Sequence, residues 1–499
     1  MSSSFVPHTE PVFQELHAVS DLHFGGASDE QVFNQGPRLA RFIDLLVGRP
    51  ATSLALVLNG DVVDFLAVPK PGYLDPVGAI EKLEAVISHD AFSPVWEALQ
   101  RYVASPSATG RERTLVIVLG NHDVELALPH VQHWLTDWLT AGDAAARGRI
   151  VWATQGAGFL ARVGTRKVLC VHGNEVDDWN VVDHRALLQL IRGYQRSATY
   201  PAWSPNGGTS LVIDVMNPIK RDFPFIDLLK PETKAAIPIL LGLRPSLAGR
   251  IGTAISAVSR RAWDGLRMSA GFLGEDEQGE RPRPAEVLES ALAGLTPAAN
   301  PRGNSLDQLR SAQLRIDRGE RVAQAARLAG DEFLGLSDWF AERPHEVLRA
   351  ALRRWLGGDT TFQVDAPDDA FRLLSEQVGP EIHYLIAGHT HLRRALRRQW
   401  AGCYYYNTGT WIRLIQVQPS VLADAAQFKQ LTDLLDKRKL ADLDSAKAPD
   451  GEPLITLLPS VASVIERNGA VYGELNDVNP DGTLRAIQGT RFPAESTRG

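Results

Sequence analysis

The stretch that decides the fold is LVIVLGNHD, residues 115–123. Its first five residues form an unbroken apolar run, which is typical of a strand buried on both faces of a sheet. Three polar residues follow Gly120, and open α/β sheets place their ligands at such carboxyl ends of strands. The alternative is an ordinary polar turn, in which Asn and Asp are common. This stretch alone leaves both interpretations open.

The same arrangement recurs along the chain. Asp21 and His23 follow a predicted short buried strand at 16–20 (LHAVS), and alternation at a strand end puts them on the same side. Further apolar runs end in Asp61 (after 54–58), His172 (after 167–171), and His389 and His391 (after 382–387). Five strand ends that each carry a potential ligand favour one shared site over five unrelated turns.

Helical spacing at 37–48 and over most of 78–103 separates the first three of these strands. Strands that alternate with helices predict βαβ units and a parallel sheet, so the fold class is α/β. The runs 159–163 and 167–171 flank a short turn and predict a hairpin. A second hairpin is predicted near the end of the chain, where Asn468 and Gly469 separate two strand-like runs.

Composition narrows the class of protein. A chain of 499 residues predicts two or three structural units, and 44% hydrophobic with 22% charged residues is ordinary for a soluble protein. The net charge of −7 argues against a generally cationic nucleic-acid binder, although it allows a local basic groove. The two cysteines, Cys170 and Cys403, lie in apolar runs and predict buried thiols in a reducing compartment.

Neither a signal peptide nor a membrane span is predicted. The N-terminus lacks a basic start and an apolar core, and the apolar run 235–243 is far shorter than the roughly 20 residues that cross a bilayer. These features predict a soluble, cytoplasmic protein.

The residue types at the strand ends suit metal-dependent chemistry. His, Asp and Asn side chains bind borderline or hard divalent ions, and no thiolate is among them. Because there are more ligands than one ion needs, we expect a two-metal site with ions about 3.5–4 Å apart, bridged by a carboxylate. Such a pair clamps a phosphoryl group and makes hydroxide available near neutral pH. Metal-assisted phosphoester hydrolysis is therefore the leading hypothesis.

These motifs, DxH, GD, GNHD, a strand-end His and GHTH, resemble the calcineurin-like metallophosphoesterases over about 1–200 and 380–415. The resemblance implies a four-layered αββα sandwich and two divalent metal ions (Mn, Fe, Zn or Mg). It also implies a role for each matching residue. Asp21, His23 and His391 would bind the first metal, Asp61 would bridge both, and Asn121, His172 and His389 would complete the second. His122 would contact phosphate and protonate the leaving oxygen, and Asp123 would orient His122.

Within the family, DLHFGG, GDVVDF, HGNEVDD and YNTGTW are most similar to the bacterial branch that contains the UDP-2,3-diacylglucosamine hydrolases. Members of that branch usually have Arg at the position of His122, and they are far shorter. Despite these two differences, the resemblance suggests sugar-nucleotide lipid precursors as one substrate class.

The motifs divide the chain into four parts. Residues 1–200 and 370–420 are predicted to form the two parts of the metallophosphoesterase core, 201–369 a mainly helical insertion or cap, and 421–499 a C-terminal helix and hairpin extension. The insertion carries nine basic against five acidic residues over 211–270. We expect either a cap that holds a lipid tail or touches a membrane surface, or an ordinary amphipathic domain.

Arg393, Arg394, Arg397 and Arg398 follow GHTH closely and could receive an anionic substrate, because Arg matches phosphate geometry. The alternative is a solvated basic face. The sequence as a whole predicts a phosphodiesterase or pyrophosphatase that uses metal-bound hydroxide on a nucleotide-linked or lipid-linked phosphoester. A nuclease, a phosphomonoesterase or protein phosphatase, and a non-catalytic metal-binding scaffold are the alternatives. Manganese is the expected metal, and the oligomeric state is not predicted.

Overall fold

The computed structural model describes residues 10–26, 31–68, 74–105, 112–177, 180–197, 223–229, 362–436 and 439–493, with isolated positions between 203 and 217 and at 349, 352 and 353. Most of the predicted insertion over 201–369, including most of its basic stretch at 211–270, lies outside the described residues.

The described strands form two main sheets. In chain order they are β1 Val12–Phe13, β2 Glu15–Val19, β3 Ser53–Asn59, β4 Glu112–Val118, β5 Ile150–Ala153, β6 Phe159–Val163, β7 Arg166–Cys170, β8 Tyr384–Ala387, β9 Arg393–Arg397, β10 Tyr404–Thr408, β11 Leu414–Ile415, β12 Ile455–Thr456, β13 Ser460–Arg467, β14 Ala470–Val478 and β15 Leu484–Ala486. One sheet has the order β15-β14-β13-β2-β3-β4-β5, and the other has the order β1-β6-β7-β8-β10-β9. Strands β11 and β12 form a small separate pair.

The described helices are α1 Gly36–Gly48, α2 Ala79–Ile87, α3 Ser93–Ala104, α4 Pro129–Thr140, α5 Ala144–Arg147, α6 His184–Gln195, α7 Asp369–Gln377, α8 Pro419–Ala423, α9 Ala425–Leu435 and α10 Leu440–Asp444. The helical region predicted over 78–103 is two helices, with Pro94 in the first turn of α3. Proline is tolerated there but would break a helix interior, which explains the division.

Strand β3 shows how the layers are built. Leu54, Leu56 and Leu58 belong to one apolar cluster, in which residues of α1 to α4 also take part. Ala55 and Val57 belong to a second cluster shared by the two sheets. Alternate side chains of a strand point to opposite faces, so this one segment packs a helical layer on one side and a sheet on the other.

The other sheet has a similar arrangement. Leu385 and Ala387 of β8 belong to a third cluster with Leu374 of α7, whereas Tyr384 and Ile386 face the inter-sheet core. The order of layers is therefore helices, sheet, sheet, helix. This arrangement confirms the predicted αββα sandwich.

Parallel pairing brings the strand ends together. Strand β3 pairs in parallel with β2 and β4, and β8 pairs in parallel with β7 and β10. The two sheets are joined at this end, where the Asn59 side-chain amide donates a hydrogen bond to the carbonyl of Val171 at 2.7 Å. The Gly388 N–H donates to the carbonyl of His172 at 2.7 Å, so the loops after β7 and β8 are also joined.

The C-terminal hairpin is part of the larger sheet. Strand β13 pairs antiparallel with β2, so residues from the two ends of the chain lie side by side. Asn468 and Gly469 both have positive φ, 52° and 78°, as the predicted two-residue turn requires. No helix within the described ranges is long and apolar enough to cross a lipid bilayer.

Candidate metal centre

The predicted ligands converge at the carboxyl ends of the strands. Among the described residues, three groups of three side chains could each hold a metal ion, with one ligand atom per residue and all three atoms within 4.8 Å of one another. The first group contains Asp21, His23 and His391, the second contains Asp61, His172 and His389, and the third shares His23 with the first and adds Asp64 and His122. The first two groups together contain six of the seven residues expected as ligands.

The first group joins the loop after β2 to the loop after β8. The Nε2 atoms of His23 and His391 lie 3.0 Å apart, and His391 Nε2 is 3.3 Å from Asp21 Oδ1. The other oxygen, Asp21 Oδ2, accepts a hydrogen bond from the backbone N–H of His389 at 3.0 Å and one from Ser20 Oγ. Oδ1 is therefore the oxygen directed toward the imidazoles.

Asp61 lies between the two groups. Its Oδ2 atom is 3.1 Å from His172 Nε2 in the second group and 3.9 Å from His23 Nε2 in the first. The other oxygen, Oδ1, accepts the backbone N–H of His122 at 2.9 Å. A carboxylate in this position could bridge two cations, as the resemblance implies for Asp61.

Asn121 is the seventh expected ligand. Its side chain is buried, and Oδ1 accepts no hydrogen bond from the described residues. The following backbone N–H, that of His122, is bound to Asp61, so the turn is fixed against the bridging carboxylate. A buried amide oxygen without a hydrogen bond costs free energy unless it finds another partner, and a cation would supply one.

Five of these ligands have unusual backbone conformations. Asp21, His23, Asp61, His389 and His391 have φ between 48° and 68°, and they are five of the nine non-glycine residues with positive φ in the described part of the chain. A non-glycine residue in this region costs of order 1–3 kcal/mol and persists only where the surroundings hold it. Such strain is concentrated at functional sites.

Polar side chains hold the strained loops. Asn407 donates to the carbonyl of Gly388 at 2.6 Å and to Thr390 Oγ1 at 3.1 Å, and it accepts the N–H of Gly409 at 3.0 Å. Thr410 Oγ1 donates to the carbonyl of Asp21 at 2.8 Å. The YNTGTW segment thus fixes both loops that form the first metal group.

Two glycines make room for the ligands. A Cβ atom at Gly60 would lie 2.3 Å from His172 Nδ1, and one at Gly120 would lie 2.1 Å from Asp61 Oδ1. Gly60 also has φ of 85°, which side chains disfavour. The backbone therefore approaches the predicted ligands closely at both glycines.

The carboxylate that contacts His122 is Asp64, not Asp123. Asp64 Oδ1 lies 3.2 Å from His122 Nδ1, and Asp64 Oδ2 lies 3.5 Å from His23 Nδ1. Asp123 instead accepts the backbone N–H groups of Gly120 and Val62, at 2.6 and 2.9 Å. The expectation that Asp123 orients His122 is thus corrected, because the turn directs these adjacent side chains to different partners.

Negative charge is concentrated where the ligands meet. Burial opposes ionisation of Asp61, but the imidazoles of His172, His122 and His23 hold the pKa of its carboxyl well below the usual range. Burial likewise favours a neutral His172, yet Asp61 raises the pKa of its imidazole to about 10. Burial and the nearby Asp61 raise the pKa of Asp123 to about 7. The ionised Asp61 carboxylate therefore favours a positive charge beside it.

The arginines after GHTH do not form a substrate-receiving cluster. Arg393 pairs with Asp477 at 2.6 Å, and Arg394 is buried and pairs with Asp368 at 3.1 Å. Arg398 is buried as well, and it donates to backbone carbonyls, whereas Arg397 lies over the Phe492 ring. The expectation of a substrate role for Arg393 and Arg394 is corrected. The alternative of a solvated basic face does not hold for Arg394 and Arg398, because both are buried.

The donor set fits divalent cations. It consists of imidazole nitrogens, carboxylate oxygens and one amide oxygen, which suit borderline or hard ions such as Zn²⁺, Mn²⁺, Fe²⁺ and Mg²⁺. Both free cysteines are buried in the fold and belong to neither group. The arrangement can therefore hold two ions that share Asp61.

Three further residues that were not predicted from the sequence touch this site. Asp64 follows Asp61 by three positions in GDVVDF, Asp177 follows His172 by five in HGNEVDD, and Asn407 lies in YNTGTW. All three stand in motifs that were noted for their similarity to known enzymes. The signal that could have identified them is a polar side chain within a few positions of an expected ligand in the sequence. Only the fold shows which residue of the site each of them contacts.

Comparison with known proteins agrees with this geometry. Residues 16–222 match the family model described as calcineurin-like phosphoesterase. A search of curated proteins found no significant match to the chain. The matched range includes the loops that carry Asp21, Asp61, Asn121 and His172.

Proposed function

We propose that the chain is a calcineurin-like phosphoesterase, the family whose model matches residues 16–222, and that it cleaves phosphodiesters or pyrophosphates with two divalent metal ions. The observation that carries the proposal is the convergence of two ligand groups on Asp61, with His122 beside them. A nucleotide-linked or lipid-linked phosphodiester is the proposed substrate class, and manganese is the proposed metal.

Each ligand has a place in this scheme. Asp21, His23 and His391 would hold one ion, Asn121, His172 and His389 the other, and Asp61 both. Two bound cations would polarise the phosphoryl oxygens, generate a nucleophile from water near neutral pH, and stabilise both the entering and the leaving oxygen.

His122 is the proposed general acid. Its ring is 4.8 Å from that of His23, and its side chain is 17% exposed, so it borders the ligand cluster without being sealed from substrate. Because Asp64 contacts Nδ1, Nε2 is the ring nitrogen that transfers a proton to the leaving oxygen. An alcohol leaving group needs such a proton, since an alkoxide is a poor leaving group in water.

The placement of the arginines supports a diester over a monoester. A monoester dianion carries one more negative charge at the transferred phosphoryl group than a diester, and neutralising it calls for additional cationic groups. Among the described residues that follow GHTH, Arg393 and Arg394 are engaged by Asp477 and Asp368 and are not available for this role. The same contacts weaken the nuclease alternative, which depended on these arginines as a binding surface for the phosphate backbone.

Hydrolysis assays with metal-stripped protein test the proposal. Bis(p-nitrophenyl) phosphate and p-nitrophenyl phosphate are compared after adding Mn²⁺, Fe²⁺, Zn²⁺ or Mg²⁺ one at a time. We expect diester turnover that requires added metal, exceeds monoester turnover, and disappears in Asp61→Ala. A nucleotide diphosphate ester and single-stranded DNA are then compared as larger substrates.

Several outcomes would overturn parts of the proposal. A monoester preference would identify a phosphatase, and faster cleavage of DNA than of the nucleotide ester would identify a nuclease. Full activity in Asp61→Ala would contradict the shared-carboxylate site altogether. Metal binding without turnover of any ester would reject the catalytic proposal for this set of substrates.

A further inference from the structure

The imidazole of His389 has a carboxylate on its outer side. Asp177 Oδ2 lies 2.9 Å from His389 Nε2, and the two side chains come from loops 212 positions apart in the sequence. Asp177 is not a member of the group formed by Asp61, His172 and His389, in which the ligand atoms lie within 4.8 Å of one another. It therefore contacts the ligand from outside the cluster.

The loop that carries Asp177 is ordered by its own hydrogen bonds. A short 3₁₀ helix, Asn174–Val176, ends at Asp177, whose N–H donates to the carbonyl of Asn174 at 3.1 Å. The Asn180 amide donates to Asp177 Oδ2 at 2.7 Å, and the backbone N–H of Asn180 donates to the Asp177 carbonyl at 2.9 Å. These hydrogen bonds fix the position of the Asp177 carboxylate beside His389.

The two histidines of the second group are oriented by different means. His172 Nδ1 lies 2.9 Å from the carbonyl of Asn59, which leaves Nε2 directed at Asp61. In His389 the contact is at Nε2, so Nδ1 becomes the ring nitrogen available to a cation. His389 also has φ of 68°, so its strained backbone is a weaker support than the strand end before His172.

We infer that Asp177 is a positioning residue that fixes the tautomer and ring orientation of His389 and so sets the affinity for one of the two cations. This inference rests on the proposed two-metal site and adds a residue to it. A carboxylate that accepts the N–H of a ligating imidazole raises the basicity of that ligand, and removal of such partners costs roughly 10–100-fold in metal affinity or activity.

The test measures metal binding directly. Apo forms of the wild type, Asp177→Ala and Asp177→Asn are titrated with Mn²⁺ and Zn²⁺ by calorimetry, and bound metal is counted by mass spectrometry. We expect Asp177→Ala to weaken one of the two binding events by about 10–100-fold. Asp177→Asn should recover most of this loss, because its amide oxygen still accepts the imidazole N–H.

A matched control removes a carboxylate from the same region. Asp183 caps α6 by accepting the N–H of Ala186 at 2.9 Å, and Asp183→Ala should leave both binding events unchanged. Circular dichroism confirms that all variants are folded. A second readout is the nitrogen chemical shift of the His389 ring, which should report a mixture of tautomers in Asp177→Ala.

The outcomes separate this inference from the proposed function. Wild-type affinity and tautomer in Asp177→Ala would overturn the positioning role, even if the wild type binds two ions and cleaves diesters. Equal losses in Asp177→Ala and Asp177→Asn would also overturn it, because they would identify Asp177 as a charged ligand. Failure of the wild type to bind two ions would instead reject the two-metal site itself.

Discussion

The strand ends that carry the predicted site residues are of two kinds. Asp21, His23, Asp61, His389 and His391 have left-handed backbone conformations, whereas Asn121, His122 and His172 do not. The first kind is surrounded by side chains that bind its backbone, such as Asn407 and Thr410.

The second kind is held by groups at the neighbouring strand ends. The His122 N–H donates to the Asp61 carboxylate, the Gly120 N–H donates to the Asp123 carboxylate, and His172 Nδ1 faces the carbonyl of Asn59. The strained loops after β2 and β8 are thus held by side chains of β10 and the residues that follow it, whereas the relaxed strand ends are held by one another. The predictions below test this difference.

The largest effect is expected at the relaxed end that carries His122. His122→Ala should lower turnover of a diester with a phenol leaving group by roughly 10²–10⁴-fold, because general acid assistance is lost. The loss should be smaller with p-nitrophenol, which leaves readily without a proton. Steady-state rates and metal content are measured together, and a parallel loss of metal would contradict the assigned role.

Asp64→Asn is the companion variant. Its amide oxygen can still accept the His122 N–H, but it lacks the charge that stabilises the protonated imidazole. We expect a smaller fall in turnover than for His122→Ala and a shifted pH–rate profile. If Asp123→Asn shifted the pH–rate profile in the same way, the expected role of Asp123 in orienting His122 would be restored.

The second prediction compares two buried asparagines. Asn407→Ala removes the contacts to Gly388 and Thr390 in a strained loop and should weaken metal binding by about 10–100-fold. Asn59→Ala leaves the carbonyl that faces His172 in place, because that carbonyl is backbone. Asn59→Ala instead removes the hydrogen bond from the Asn59 side chain to the Val171 carbonyl, which should lower the free energy of unfolding by about 1–3 kcal/mol.

Calorimetric titration and chemical denaturation of both variants give the comparison. Metal affinity that falls equally in Asn407→Ala and Asn59→Ala would show that strained and relaxed loops are held in the same way. That result would remove the distinction on which the comparison is built.

The third prediction concerns the strand that follows the strained GHTH loop. Arg394→Ala should lower the free energy of unfolding by about 1–3 kcal/mol, since it breaks a partly buried pair with Asp368. The KM for the diester should stay at the wild-type value. Arg372→Ala, which removes an exposed pair on α7, should cost at most about 0.5 kcal/mol. A raised KM in Arg394→Ala would restore its substrate role.

The last prediction concerns the start of β2, the strand that leads into the loop with Asp21, and its effect is confined to low pH. Burial opposes ionisation of Glu15, but contacts with His17 and Arg49 lower the pKa of its carboxyl from 4.5 to about 2. A carboxylate with a lowered folded-state pKa stabilises the protein above pH 4.5, and this contribution is lost as the pH falls toward 2. Thermal unfolding between pH 5 and 2 should therefore depend less on pH in Glu15→Gln. The exposed Glu84→Gln serves as the control, and equal slopes in the two variants would contradict the prediction.

Several features of the fold were predictable because their signals are local. The alternation of Leu54, Leu56 and Leu58 with Ala55 and Val57 places β3 between two apolar layers. The hairpin at Asn468 and Gly469 follows from their tolerance of positive φ. The position of that hairpin beside β2 was not predictable, since the pairing of His17 with Ser463 joins residues 446 positions apart.

The sequence by itself determined the class of fold and predicted the family and the ligands at the strand ends, because buried runs and the residues that end them are read locally. Only the tertiary structure decided which partner each polar group finds. Asp123 is adjacent to His122 in sequence but binds backbone N–H groups, whereas Asp64 and Asp177 reach His122 and His389 from other loops. Arg394 follows GHTH closely and yet is buried against Asp368. Such choices depend on backbone direction and on distances between loops that are remote in sequence, and spacing along the chain contains neither.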